Sequence, residues 1–494
     1  MDLKFEKRGL KVLKPLLREV QAQEMTQELR LPDGMPDLGK ILGAWGQVIL
    51  RGKEWRGDSI ACNGGVMVFL LYAPEDGSEV RTMESWIPFQ MRWDLSDGHR
   101  DGEIRIQPLL RFVDARNLSP RKMMVRCGIS ALGEAFRGET EMVSIPDEVP
   151  EDVQLLKNRY PLRIPKQAGE KSFQLEESLP LSGDPVRLVS YTMVPRLSEA
   201  RIMSGKLVMR GSGMLHVLYR TGDGKLESRD LEIPLSQFTE LEGEVGADAQ
   251  ADVRMAVTNL EAELTEDHQL RVKAGLLAQY VVDDRELLEV VADAYSPVRQ
   301  VEPVLEELEL HGILEQKQVP VPVRQTIRQS ARDIADVTYL PDFPNTRRGE
   351  GLQLELPGMF QVLYYDENGE LAGSTARTEE NWDMPLGEDA RVAATVLPGA
   401  PASATAGSGI ELKGDGVLNL QTTSRRGIPM VTELKLGEEN VPDPGRPSLI
   451  LRRAGDGDLW QIAKSTGSTV SAIRLANGLE NEPEENQILL IPVS

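Results

Sequence analysis

The chain has 494 residues, of which 40% are apolar and 27% charged, and its formal net charge is −22. This length predicts about three to four domains, and the composition is that of an ordinary soluble globular protein. The acidic balance argues against a nucleic-acid partner, which needs clustered Lys and Arg. No apolar run of about 18 residues occurs, so membrane insertion is not expected.

The N-terminus and the cysteines indicate a reducing compartment. Residues 1–18 are rich in Lys and Arg, lack the apolar stretch of a signal peptide and are expected to form a solvated arm. Cys62 and Cys127 are the only cysteines, too few for a disulfide framework. We therefore predict a cytoplasmic protein.

The body of the chain contains one pattern three times. An apolar run ends in Tyr72, Tyr219 or Tyr364, and glycine follows each tyrosine five residues later. The preceding residue is Asp or Asn, and Asp-Gly and Asn-Gly predict tight hairpin turns. The spacing of roughly 146 residues exceeds that of solenoid repeats, so each copy is large enough for its own core.

Two further features follow each tyrosine. The first is an apolar-Pro-apolar step, found as Ile87–Phe89, Ile233–Leu235 and Met384–Leu386. The second is a small-residue strand core, found as Val125–Gly128, Val272–Gly275 and Leu412–Gly414. Alternating apolar residues, as at Leu270, Val272 and Ala274, are typical of strands. We predict a mainly β protein with three tandem antiparallel, sandwich-like domains and a short helix at residues 330–335.

Proline-rich and charged stretches mark the expected boundaries between these domains. We predict linkers at residues 146–169, 296–322 and 440–447. The predicted domains are three β domains and one small C-terminal domain, covering residues 1–148 (with the N-terminal arm), 170–297, 319–439 and 449–494.

The C-terminal segment predicts a small βααβ domain. Leu449–Leu451 and Ile488–Ile491 suit two strands. Apolar residues recur at helical spacing in two runs between these strands: Leu459, Ile462 and Ala463, then Val470, Ile473 and Leu475. Trp460 and Ile462 are the predicted structural anchors of the core.

This segment resembles a LysM module, and nearly the whole chain resembles the SPOCS repeat family followed by LysM. LysM modules hold N-acetylglucosamine polymers through two loops. The resemblance places the partner- or glycan-binding residues in those loops: Asp456, Gly457, Asp458, Leu459, Asn477, Gly478 and Leu479. Asp458 stands where LysM modules usually carry threonine, and the second loop continues into the acidic residues Glu480, Glu482, Glu484 and Glu485.

The resemblance also implies a function. The chain would be a non-enzymatic sporulation protein in the mother-cell cytoplasm, at the forespore surface, that scaffolds spore-envelope assembly. Its LysM-like domain would dock the morphogenetic ATPase of the spore coat. The alternative is a protein that binds peptidoglycan or N-acetylglucosamine in the spore cortex or cell wall.

No catalytic residue, metal site or cofactor is predicted. His99, His216, His268 and His311 lack metal-ligand spacing, and no phosphate-binding loop motif occurs. Cys127 aligns with Ala274 in the second copy, which predicts a buried filler. Cys62 is expected in a loop over residues 57–65. A cell-wall hydrolase is a third hypothesis, without a residue constellation behind it.

Overall fold

The computed structural model describes residues 2–95, 101–348, 351–384, 390–440, 445, 447–454, 458–484 and 486–493. Strands make up 76% of the chain and helices 3%, and the sheets are antiparallel. The prediction of a mainly β protein is therefore confirmed.

The strands form three copies of one arrangement, in which corresponding strands pair in the same order. The first copy comprises β2 (Glu6–Arg30), β3 (Leu38–Arg56), β4 (Ser59–Pro74), β5 (Arg81–Asp94), β6 (Glu103–Ser119) and β7 (Lys122–Ile145), after the short β1 (Asp2–Lys4). The second comprises β8 (Gln154–Pro180), β9 (Pro185–Met203), β10 (Lys206–Thr221), β11 (Leu226–Glu240), β12 (Gln250–Leu264) and β13 (Gln269–Tyr295).

The third copy is interrupted more often. It comprises β14 (Arg299–Ile327), β15 (Asp333–Pro341), β16 (Asn345–Arg348), β17 (Leu352–Tyr365), β18 (Leu371–Met384), β19 (Ala390–Pro398), β20 (Ser403–Thr405) and β21 (Ile410–Glu439). The C-terminal module comprises β22 (Leu449–Arg453), α1 (Leu459–Thr466), α2 (Val470–Asn477) and β23 (Ile488–Pro492).

Each copy consists of two antiparallel sheets. One is a meander: β3–β4–β5 in the first copy, β9–β10–β11 in the second, and β15 and β16 beside β17–β18 in the third. The other places the last strand between the first strand and the strand before it, as in β2–β7–β6 and β8–β13–β12. Period-two burial explains the strands. In β5, Ile87, Phe89, Met91 and Trp93 are buried and alternate with exposed residues.

The first strand of each copy is much longer than its meander strands. β2, β8 and β14 have 25, 27 and 29 residues and pair along their length with β7, β13 and β21. The outer parts of these pairs form three ribbons, which are two-stranded except where β1 also pairs with β21. Apolar residues from all three ribbons share one core cluster, which includes Leu10, Val143, Ile164, Val290, Leu310 and Ile428.

The predicted hairpin turns are present. Gly77, Gly224 and Gly369 have φ of 69°, 89° and 81°, and each donates its N–H to the carbonyl three residues earlier. A positive φ is accessible to glycine without steric cost.

In each copy, the strand that pairs with the repeat tyrosine has a β-bulge next to the tyrosine's own partner. These bulges leave Leu42, Val189 and Ala335 without a paired residue. All three are buried in one cluster that joins the copies.

Equivalent residues make the contacts between copies. Phe69, His216 and Gln361 each precede the repeat tyrosine by three residues. Phe69 packs on Tyr191 of the second copy with ring centroids 4.6 Å apart. His216 bonds to Asp336 of the third copy, and Gln361 Nε2 donates to the Ala44 carbonyl of the first at 3.0 Å. The contacts run from first to second, second to third and third to first, so the copies close a ring.

Several local expectations were wrong. Residues 2–4 and 6–18 are strand, because β1 pairs with β21 and β2 with β7, instead of forming a solvated arm. The predicted linkers at 146–169 and 296–322 are mostly strand, since β8 begins at Gln154 and β14 at Arg299. The polar and proline residues that suggested linkers lie in the exposed parts of these ribbons.

Three further expectations also fail. Residues 330–335 are not helical; β15 begins at Asp333. Cys62 lies inside β4 and is 1% exposed, so it does not occupy a loop. The third apolar-Pro-apolar step is out of register. Ile87 and Ile233 each pair with the residue that lies six positions before the repeat tyrosine of its copy. Met384 instead pairs with Leu352, which lies twelve positions before Tyr364. Pro385 and Leu386 lie outside the described residues.

Candidate functional site

The C-terminal module places two helices against a two-stranded antiparallel sheet. β22 pairs with β23 from Leu449 opposite Pro492 to Arg453 opposite Ile488. Asp458 caps α1 and Thr469 caps α2, and Gly467 and Gly478 end the two helices in the left-handed conformation. The core contains Leu459, Trp460, Ile462, Ala463, Ile473, Leu489 and Ile491. Trp460 and Ile462 are 7% and 2% exposed, which fits their predicted role as anchors.

The module is held against the end of β13 in the second copy. The indole Nε1 of Trp460 donates to Asp293 Oδ2 at 2.8 Å, and Lys464 Nζ lies 2.8 and 2.7 Å from the two carboxylate oxygens. Tyr295 packs edge-on against Trp460 with centroids 4.8 Å apart. Its hydroxyl donates to the Ser468 carbonyl at 3.0 Å. We call these contacts the Asp293 latch. The side of α1 that carries Trp460 therefore faces the chain itself.

The first predicted binding loop is only partly described. Asp456 and Gly457 lie outside the described residues. Asp458 Oδ1 accepts the Gln461 N–H at 2.9 Å, which satisfies a free donor of the first helical turn. Leu459 is 1% exposed. In this loop the described side chains thus build the helix start and the core.

The second predicted loop follows α2. Asn477 Nδ2 donates to the carbonyls of Ile473 and Leu490, and its Oδ1 accepts the Leu490 N–H. Asn477 therefore ties α2 to β23. Gly478 has φ of 63° and nothing within 4 Å of a would-be Cβ, and Leu479 is half-buried against the module core. The structure brings Asn477–Leu479 together at one corner, with Gly478 open to solvent.

The exposed surface of the module is partly apolar and partly acidic. Leu475, expected in the core, is 87% exposed because it lies on the outer face of α2, opposite buried Ile473. Leu451 and Ile488 are 69% and 60% exposed on the sheet face away from the helices. Glu480, Glu482 and Glu484 are exposed, and Arg474 bonds to Glu482 at 2.6 Å.

A polar cluster at the centre of the ring has no counterpart in the sequence prediction. His216 Nε2 lies 2.7 Å from Asp336 Oδ1 and its Nδ1 lies 2.9 Å from Asp230 Oδ1. Trp45 Nε1 donates to the other oxygen of Asp336 at 3.0 Å. Burial would lower the pKa of His216, but the carboxylates of Asp336 and Asp230 outweigh it and raise the pKa to about 10. The cluster is therefore an ion pair between the second and third copies, to which Trp45 of the first copy adds a hydrogen bond.

A second polar cluster lies between the first and second copies. Glu134 is 1% exposed and accepts from Arg105 Nε at 2.6 Å, Arg254 Nη1 at 2.9 Å and Arg18. Burial opposes ionisation of Glu134, but the three guanidinium groups outweigh it and lower its pKa far below the usual range. Arg105 also pairs with Asp252 at 2.8 Å. Residues of both copies thus neutralise each other at the contact.

The two cysteines and His268 of the sequence prediction show no arrangement for catalysis among the described residues. Cys62 and Cys127 are free and buried, and burial raises the pKa of each thiol to about 12, so neither is a ready nucleophile. The side chain of His268 is 56% exposed, and its Nδ1 lies 3.2 Å from Asp184 Oδ1. Sequence spacing could not reveal the His216 cluster, because its partners lie 14 and 120 residues away.

Comparison with known proteins shows that one segment is similar to a known family. The family description "SipL, SPOCS domain" matches residues 184–265, which cover β9–β12 of the second copy. This segment resembles a SPOCS domain. The match supports a SPOCS/SipL-like domain for residues 184–265 alone. No curated protein and no solved structure gives a significant match. Neither described helix is long and apolar enough to cross a membrane.

Proposed function

We propose that this chain is a non-enzymatic assembly protein of the spore envelope that docks a protein partner through its C-terminal module. The partner implied by the family resemblance is the morphogenetic ATPase of the spore coat. The two proteins would bind each other in the mother-cell cytoplasm, at the forespore surface. The Asp293 latch carries the proposal. It fixes the module to the second copy through Trp460 and Lys464, so the module's outer surface has a defined position relative to the ring.

The two polar clusters favour a structural role for this protein over a catalytic one. His216 and Glu134 have strongly shifted pKa values, which often mark active sites. Here both of these groups bond to an oppositely charged side chain of a neighbouring copy. Ion pairs of this kind hold parts of a structure in register. The ring is therefore suited to presenting the module rigidly.

The outer surface of the module suits a basic protein patch. Glu480, Glu482 and Glu484 are exposed in the segment that follows Gly478, and exposed Leu475 lies on the helix that ends there. Complementary charge accelerates association and fixes orientation, and an exposed leucine adds apolar area to bury. Neutral sugar hydroxyls offer no comparable charge complement.

Co-purification tests the proposal directly. The full chain should retain the morphogenetic ATPase from sporulating cells, and a chain lacking residues 449–494 should not. Leu475→Asp should weaken retention without unfolding the module, whereas Leu451→Asp, on the outer sheet face, should not. Equal retention with and without the module would exclude docking through it. Calorimetry with N-acetylglucosamine oligomers tests the glycan alternative, which predicts saturable binding that Leu475→Asp leaves intact.

A further inference from the structure

We propose that a cavity at the centre of the ring binds a small carboxylic acid with an apolar body. This central cavity has a volume of about 190 Å³ and is lined by residues of all three copies. Its apolar lining includes Leu109 of β6, Met193 of β9, Met255 of β12, Leu340 of β15 and Leu397 of β19. An engineered apolar cavity of about 150 Å³ in another protein holds benzene. The central cavity therefore has room for one ring or a short alkyl chain.

Arg196 of β9 brings an unpaired cation to the central cavity. It lines the cavity, is half-buried and forms no salt bridge or side-chain hydrogen bond with any described residue. Its Nε is completely covered, whereas its two terminal nitrogens are accessible. Burial lowers the pKa of Arg196, because the carboxylates of Asp230 and Glu232 do not compensate for the lost hydration. The accessible nitrogens of such a guanidinium are suited to a carboxylate, which can accept two parallel hydrogen bonds.

Gln107 of β6 adds a second donor to the lining. Its side chain lines the cavity, and the residue is 3% exposed. Neither amide atom has a hydrogen-bond partner among the described residues; Oε1 is completely covered, but Nε2 is not. Buried polar groups are nearly always partnered, so a ligand in the cavity can supply the acceptor that Nε2 lacks. Carboxylate oxygens only accept hydrogen bonds, and they match Gln107 and Arg196 together.

The acidic residues of the lining favour an acid over an amine as the ligand. Asp230 already bonds to His216, whose other ring nitrogen bonds to Asp336. Asp415 also lines the cavity and forms no ion pair with a described residue, but neither of its oxygens is completely covered, so water can bond to them. An amine would add a further cation beside Arg196 and His216, whereas an acid neutralises Arg196.

The fold itself requires neither the arginine nor the space. The residue that pairs seven positions before the repeat tyrosine is Arg196 in the second copy and Ile49 in the first, where it is 1% exposed. Ala256 of the cavity lining corresponds by strand pairing to Leu109 in the first copy and Leu397 in the third. The second copy thus has a charge and a small side chain at positions where a sister copy packs larger apolar residues.

Calorimetry on the full chain tests this inference with four probes: 3-phenylpropionate, octanoate, 3-phenylpropan-1-ol and 3-phenylpropylamine. Wild-type protein should bind at least one of the two acids saturably. It should bind the alcohol and the amine roughly tenfold more weakly or not at all, since they lack the carboxylate. The bound acid should also raise the thermal midpoint. These comparisons use unaltered protein, so they do not depend on the folding of a variant.

Two variants separate the charge from the space. Arg196→Met removes the cation and should weaken acid binding by roughly tenfold or more. Its thermal midpoint should stay unchanged or rise, because an unpaired, half-buried charge does not stabilise the fold. Ala256→Leu, which introduces the residue of the sister copies, should fill the cavity and weaken the binding of every probe. Arg187→Gln, at an exposed arginine of the same strand as Arg196, is the matched control and should bind as wild type does.

Several results would overturn the inference. They are wild-type protein that binds neither acid, equal affinity for acid and alcohol, and acid binding by Arg196→Met that equals that of wild type. A loss of binding in Arg187→Gln that matches the loss in Arg196→Met would place the acid outside the cavity. A lowered midpoint in Arg196→Met would give this arginine a structural role, and the preference of wild-type protein for acid over alcohol would then decide.

Discussion

His216 and Asp336 join the second copy to the third through a contact of 2.7 Å between Nε2 and Oδ1. Asp336 is 1% exposed, and Trp45 of the first copy donates to its other oxygen at 3.0 Å. One carboxylate thus receives hydrogen bonds from both other copies. The equivalent of His216 is Phe69 in the first copy and Gln361 in the third, so the same strand position makes an apolar, a charged and an amide contact around the ring.

Replacing His216 should destabilise the ring in a pH-dependent way. His216→Gln, which introduces the residue of the third copy, leaves Asp336 buried without its cation and should cost about 3 kcal/mol at neutral pH. The folded-state pKa of His216, about 10, lies above the unfolded value of about 6.5. The contribution of this contact is therefore complete below about pH 6.5 and is lost as the pH rises through 10. Urea unfolding of both proteins should show a difference that shrinks over that range; a constant difference would contradict the ion pair.

Replacing Glu134 should have the opposite pH dependence. Glu134→Gln removes the buried carboxylate that bonds Arg105, Arg254 and Arg18 and should cost about 3–5 kcal/mol. Because the folded-state pKa is lowered, the contribution is present above the unfolded value of about 4.3 and is lost as the pH falls. Glu139→Gln, which breaks an outer pair with Lys14 at 3.4 Å, should cost less than about 1 kcal/mol. Similar costs for both variants in chemical denaturation would argue against the buried cluster.

Trp460 should be essential to the module as a core residue. Trp460→Ala removes a side chain that is 7% exposed and should cost about 3–5 kcal/mol, enough to unfold so small a unit. Trp460→Phe keeps a ring against Tyr295 but loses the bond to Asp293, so about 1–2 kcal/mol is expected. Circular dichroism and the thermal transition of the module in the full chain distinguish the two. A retained transition in Trp460→Ala would refute the core assignment.

Breaking the Asp293 latch should release the module without unfolding it. Asp293→Ala leaves the Trp460 N–H without its acceptor, at a cost of about 1–3 kcal/mol. Lys464→Met removes only the half-exposed cation, whose pairing is worth less than about 1 kcal/mol. Hydrogen exchange should accelerate around Tyr295 and Ser468 in Asp293→Ala and change little in Lys464→Met. Unaltered exchange in both would show that apolar packing alone holds the module.

Reversing the charge of two exposed glutamates that follow α2 should slow association with the partner. Glu480 and Glu484 changed to Lys leave Glu482 paired with Arg474, so the module should stay folded. If a basic patch docks here, the association rate at low salt should fall by roughly tenfold and its salt dependence should weaken. Reversing exposed Glu266 and Asp267 in the second copy keeps the net charge change equal and should have little effect. Equal slowing by both pairs would indicate only a long-range charge effect.

The sequence by itself determined the strand-rich class, the three turns and the buried role of Cys127. These follow from local chemistry: alternation along a strand, glycine at positive φ, and small residues at equivalent positions. The same reasoning predicted a helix-forming C-terminal segment with Trp460 and Ile462 in its core. It failed for residues 6–18, 146–169 and 296–322, because polar and proline residues on exposed ribbons look like linkers when their distant pairing partners are unknown.

Only the tertiary structure decided which residues meet across the copies. Asp336 lies 120 residues from His216 and 291 from Trp45, and Asp293 lies 167 from Trp460. No periodicity links such positions, since their proximity depends on ring closure and on where β13 ends. The exposure of Leu475 was undetermined for the same reason. A hydrophobic side chain at a plausible spacing packs inward or faces solvent according to the neighbours that folding brings to it.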